Sequence, residues 1–233
     1  LMLEAALKPG DPATLAALLK HPLARFGLSA RAMRGAAAAF ELLALRGGTR
    51  LVPLGHLEAF LDDALEKQTD DRHPPRWRSA LPKTAADDAR DLARRIDFAL
   101  QSLIETHVAR GPDRAPITEN LMLADWAART GRALEATARD ATDDLAALWS
   151  GEAGERLAAM LSEIMGSSTP VEADGPQWIE IVAALSASEA VKPRQMGNPR
   201  VFIFGAVEAR LQNMDTIVLG GMNEGVWPTQ PKN

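Results

Sequence analysis

The residues best suited to proton transfer or metal ligation are four histidines, His21, His56, His73 and His107, and no two of them stand at metal-ligand spacing. The chain contains no cysteine. Disulfides, zinc–thiolate sites, iron–sulfur ligation and cysteine nucleophiles are therefore excluded from it. Asp62-Asp63, Asp87-Asp88 and Asp143-Asp144 bring carboxylates together in sequence, but adjacent residues of a helix point about 100° apart. None of the pairs has a third ligand in its pattern. No GxxxxGK[ST] loop, GxGxxG turn or GxSxG elbow occurs. The expectation is a chain with no catalytic residue, no metal and no cofactor of its own.

Binding groups are more evident than catalytic ones. Arg72, Arg76 and Arg78 surround Trp77 in a proline-broken stretch; arginine grips phosphate and an indole stacks on a base. The competing reading is a loop held down by an amphipathic tryptophan. The stretch from Pro199 onward is the second candidate. It reads as an apolar run ending at Gly205, a Glu208-Ala209-Arg210 segment, another apolar run, and a glycine-rich exit through Gly221, Glu224, Gly225 and Trp227. Loops at the carboxyl ends of parallel strands are where functional groups gather.

Charge is uneven along the chain. Residues 1–83 carry 12 Lys/Arg against 9 Asp/Glu, a net of +3, whereas residues 84–195 carry 11 against 19, a net of −8. A phosphate backbone is repelled by the second block and better tolerated by the first.

Helices must position these groups. Asp11-Pro12 offers an N-cap and a proline at the first helical position, and Ser29 caps a second helix running to about Arg46, closed by Gly47-Gly48. A third helix is expected from about Pro53 to Lys67. Thr84 with Asp87 resembles a capping box. Beyond it Ala89, Leu92, Ala93, Ile96, Leu100, Leu103, Ile104 and His107 follow the steps of three and four that mark a buried stripe, ended by Gly111-Pro112. Thr118 is expected to cap the next helix, shorter ones to cover 141–149 and 152–165, a linker to span 166–176, and a last helix to run over 177–187 with Trp178, Ile181, Val182 and Leu185 inward.

After Lys192-Pro193 the pattern changes. Residues 201–204 and 216–219 are continuous, β-branched-rich apolar runs, as in parallel strands buried on both faces. The fold class expected is mainly α: a helical domain over 1–195, then a short incomplete α/β segment over 196–233 with two parallel strands. At 233 residues and 46% hydrophobic content the chain supports a real core, and no apolar run reaches the ~20 residues of a membrane span. Both ends read as interior sequence, so an internal piece of a larger protein in a reducing, cytoplasmic compartment is expected.

The segment NPRVFIFGAVEARLQNMDTIVLGGMNEGVWP, Asn198 to Pro228, resembles AddB, the helicase-like subunit of the bacterial AddAB helicase–nuclease, in its alphaproteobacterial form. LAALLKHPLARFGL, Leu15 to Leu28, is similar to a stretch of the same proteins. The tail also resembles, more distantly, the region around motif V of superfamily 1 helicases of the UvrD type. Arg210 takes the place of that motif's lysine, and Gly221 with Glu224 to Pro228 matches its exit. Leu211-Gln212-Asn213 falls where Gly-Leu-Glu stands in active motors, which fits an inactivated helicase. By this resemblance 1–195 is a 2B-like domain and 196–233 begins the return into the second RecA-like domain. ATP, Mg and, in some members, an iron–sulfur cluster then belong to the parent complex, as does the nuclease domain. The implied partners are an AddA-like helicase–nuclease subunit and DNA, with Arg210 on the DNA backbone, Glu208 and Glu224 orienting the loop, and Trp227 packing it. Against this stands a second reading, a helical protein-interaction scaffold with no DNA or nucleotide role, favoured by the acidic block 84–195.

Overall fold

The computed structural model describes residues 1–46, 51–69, 77, 80–109, 116–187, 202–205, 208–211 and 213–220. The chain divides into two compact units, Leu1–Val191 and Lys192–Asn233.

The first unit is mainly helical. Short α1 (Met2–Leu7) and α2 (Pro12–Leu19) precede α3 (Ala30–Phe40), which runs into a π-turn over Glu41–Leu45. The next helices are α4 (Leu57–Thr69), α5 (Ala85–Ile104) and α6 (Leu123–Ala138). They are followed by α7 (Ala146–Trp149), α8 (Gly151–Gly166) and α9 (Gly175–Ala187). Two antiparallel ladders of two residues per strand stitch the connections. One joins β1 (His107–Val108) to β2 (Ile117–Thr118), and the other joins β3 (Leu121–Met122) to β4 (Glu172–Ala173).

Helix α5 is the centre of the unit because its apolar residues recur at three- and four-residue steps over five turns. Ala89, Leu92, Ala93, Ile96, Leu100 and Leu103 are buried, as the periodicity predicts, Ile104 is half-buried, and Ala85 and Ala99 are buried as well. Helices α3, α4 and α6 pack around it, and α3 approaches closely because its inner face is largely alanine (Ala36, Ala37, Ala39). The Asp11 carboxylate accepts the N–H groups of Ala13 (3.0 Å) and Thr14 (3.1 Å), and Ser29 Oγ accepts that of Ala32 (3.3 Å), so both expected caps form.

Other local signals are overridden. The third helix begins at Leu57 rather than Pro53, because Gly55 turns the chain at φ +84° and the start is capped from another helix. Asp97 of α5 accepts Gly55 N–H (2.7 Å) and Leu57 N–H (2.9 Å). The expected capping box at Thr84 does not form. Thr84 sits at φ −82°, ψ −4° instead of the extended conformation a cap needs, and its hydroxyl bonds Asp88 Oδ2 at 3.0 Å. Helix α5 ends at Ile104, before Gly111-Pro112, and His107 stands in β1; Gly47-Gly48 and Gly111-Pro112 lie outside the described residues.

Thr118 caps no helix. It is in β2, its hydroxyl accepts Gly175 N–H at 2.6 Å, and α6 starts at Leu123 instead. The 166–176 stretch contributes β4, and the helix expected over 141–149 is confined to Ala146–Trp149. Trp178 of α9 is fully buried as expected, whereas Leu185 is 40% exposed.

In the second unit, residues 202–205 and 213–220 form no ladder among the described residues, which do not show the two buried parallel strands expected there. A strand exists only by hydrogen bonding to a neighbour, and neither run has one among the described residues; Ile203 is 98% and Val218 90% exposed. The regular element described there is a single 3₁₀ turn, Glu208–Leu211.

Candidate functional site

The segment around Gly205 and Glu208 is held by its own short-range bonds. Gly205 N–H donates to Glu208 Oε2 at 2.8 Å, and Ala209 N–H donates to Gly205 O at 3.0 Å. The carboxylate thereby closes the loop across three residues, in the way acidic side chains commonly bond nearby backbone in turns. A Cβ on Gly205 would stand 3.2 Å from that carboxylate oxygen, so the glycine leaves room for the closure. Arg210 follows in the 3₁₀ turn, exposed, with no ion pair or hydrogen bond to a described residue. Just before the loop, the rings of Phe202 and Phe204 stack at 5.7 Å and 8°. Chemically, the loop presents a tied carboxylate and an exposed guanidinium that has no partner among the described residues. A guanidinium offers five donors in a planar fork that matches phosphate oxygens. Gly221, Glu224, Gly225 and Trp227 lie outside the described residues.

The Arg72–Arg78 cluster is represented by Trp77, which is half-buried against the hydrophobic core and whose carbonyl accepts Ala80 N–H at 3.1 Å. Its indole thus covers apolar side chains of the first unit. Arg72, Arg76 and Arg78 lie outside the described residues.

Several other titratable groups have structural partners. Burial pushes the Asp97 carboxyl above its usual range, against the pull of its bonds to Leu57 and Gly55 N–H. Burial pushes the His107 imidazole below its ordinary value; its Nε2–H donates to Ala6 O at 2.8 Å and anchors α1. Arg90 pairs with Asp62 (2.8 Å) and Arg94 with Glu58 (2.7 Å), which ties α5 to α4. Arg95 spans Asp91 (2.7 Å) and Phe26 O (3.1 Å). These arginines are spent on the fold. Among the described residues no group of three or more His, Asp or Glu is placed to hold a metal ion, and no helix is long and apolar enough to cross a membrane.

A feature absent from the sequence reading is a groove between α2 and α3 lined by Lys20, Arg25 and Arg34. Its signal was present in the net +3 of residues 1–83, but linear order does not say which cations converge. Comparison with protein-family models, curated proteins and solved structures finds no match to this chain.

Proposed function

We propose that the chain is a DNA-tracking or regulatory part of a double-strand-break repair helicase–nuclease subunit, without a reaction of its own. The observation that carries this reading is Arg210: an exposed guanidinium without a described partner, on a loop closed by Glu208, at the position where the resembling helicases carry their motif V lysine. A phosphate oxygen supplies the acceptors that Arg210 lacks among the described residues. The resemblance supports a 2B-like character for the helical unit. The exposed apolar runs 202–204 and 217–219 fit strands of a RecA-like sheet completed by other strands. ATP and Mg, an AddA-like partner and the nuclease chemistry belong to the parent complex in this reading.

The test is Arg210→Ala in the native assembly that contains this chain, measured as single-stranded DNA affinity across salt concentration. Loss of one phosphate contact is expected to weaken binding and to flatten the slope of log K against log salt by about 0.7. Unchanged affinity and slope would refute the backbone-contact role. The second reading, a protein-interaction scaffold, is favoured by a different observation. With Arg90, Arg94 and Arg95 engaged in ion pairs, acidic residues of the block 84–195 that are described, among them Glu119, Asp125, Glu152 and Glu163, are exposed, and such a face suits a protein partner better than a phosphate chain.

A further inference from the structure

The groove between α2 and α3 has a volume of about 450 Å³, within the ~300–1,000 Å³ that ligand clefts occupy. Its floor is aliphatic: Leu19, Met33 and Ala37 are buried beneath it and Ala38 is exposed along it. Lys20, Arg25 and exposed Arg34 are the cations among its lining residues, from the end of α2, the α2–α3 connection and α3. Glu41 is the carboxylate among its lining residues, and its Oε2 is already taken by Lys20 Nζ at 2.8 Å. His21 is tied into the turn, its Nδ1 accepting Leu23 N–H at 3.3 Å. Arg34 has no hydrogen bond or ion pair to a described residue.

Three properties select the occupant. Lys20 is paired with Glu41 and Arg25 lies within electrostatic reach of Asp140, so the uncompensated charge at the groove is that of Arg34, and the excess is positive; the occupant is therefore acidic. No Phe, Tyr or Trp is among the residues lining the groove, and its one aromatic ring, the His21 imidazole, is tied into the turn by Leu23 N–H, so the groove lacks the large stacking faces by which single-stranded nucleic acid is usually held. The α3 wall presents alanines at 30, 37 and 38, and side chains of that size let another helix axis come near. We propose that the groove seats an acidic amphipathic helix of a partner protein. Apolar side chains spaced i, i+4 and i+7 lie on the Leu19–Met33–Ala37 floor, and Asp or Glu residues flank them opposite Arg34. This site lies in the helical unit and does not depend on Arg210, so either reading can fail without the other.

The experiment is selection of 16-residue peptides from a random display library on the whole 233-residue chain, followed by affinity measurement on two exposed-site variants. Arg34→Glu reverses that charge and Ala38→Trp fills the floor; circular dichroism verifies that each retains the parent helix content. Enriched peptides are expected to be rich in Asp and Glu, to repeat apolar residues at helical spacing, and to bind each variant at least about 10-fold more weakly. Enrichment of basic or unpatterned peptides, equal binding to the variants, or no enrichment overturns the proposal. So does tight binding of a 20-nucleotide single strand that is lost in the same two variants, since that outcome assigns the groove to nucleic acid.

Discussion

Two buried indoles lock α9 and β4 onto α6, and the bond between Trp178 and Thr130 offers a direct measure of how the helical unit is held. Trp178 is 0% and Thr130 3% exposed, and the indole Nε1–H donates to Thr130 Oγ1 at 2.9 Å. Thr130→Val keeps the β-branched shape and removes the acceptor, leaving a donor with no water to turn to. A hydrogen bond is worth about 1 kcal/mol net, and an orphaned buried donor costs about 1–3 kcal/mol. An added methyl returns up to about 0.8 kcal/mol. The substitution is therefore expected to cost about 1.5 kcal/mol. Trp178→Phe removes the donor and leaves a cavity, but the freed Thr130 hydroxyl can turn to a carbonyl one turn back on α6. It should cost about 2–3 kcal/mol, chiefly in lost packing. The double variant should then be less damaged than the two single losses together, by about 1 kcal/mol. Urea unfolding followed by circular dichroism reads this directly: with a slope near 2 kcal/mol/M, Thr130→Val lowers the midpoint by about 0.7 M. A Thr130→Val shift under about 0.25 M, or strict additivity of the pair, would refute the argument that this bond holds α9 in place.

Two other perturbations test the same unit. His107 has its protonation depressed by burial, so the unfolded chain binds the proton more readily and stability falls as pH drops below the imidazole's ordinary value of 6.5. His107→Gln removes that dependence, and the denaturation midpoint should fall less between pH 7 and pH 5 in the variant than in the parent. Gly175→Ala places a Cβ 2.8 Å from Thr118 Cγ2 and Oγ1, against the side chain that accepts Gly175 N–H. A loss of about 1–3 kcal/mol is expected, and an unchanged melting temperature would show that β2 yields freely.

Particular elements show how far the linear code reaches. The buried stripe of α5 is legible because its apolar residues recur with the helix period, and any packing partner must meet that face. The caps at Asp11 and Ser29 are legible because their hydrogen bonds close within three residues. Thr84 and Thr118 carry equally suitable side chains and do not cap. At Thr84 the backbone conformation is helical already, and at Thr118 the hydroxyl is claimed by Gly175, 57 residues away. Likewise the start of α4 is set by Asp97, 40 residues beyond Leu57, a cap that no local pattern contains.

The candidate sites divide in the same way. Glu208 and Arg210 are legible as a loop because Gly205 and the neighbouring apolar runs delimit it, and the closing bond spans three residues. Trp77 is ambiguous in sequence, since an indole serves a base or a core equally well, and only packing assigns it to the core. The groove between α2 and α3 is not legible at all. By itself the sequence determined the helical class, the central helix and the local caps, because those depend on periodicity and on bonds between near neighbours. Tertiary structure alone decided which cations are spent in ion pairs, which threonines cap, and where Lys20, Arg25 and Arg34 converge. Those outcomes depend on the path the backbone takes between residues distant in sequence.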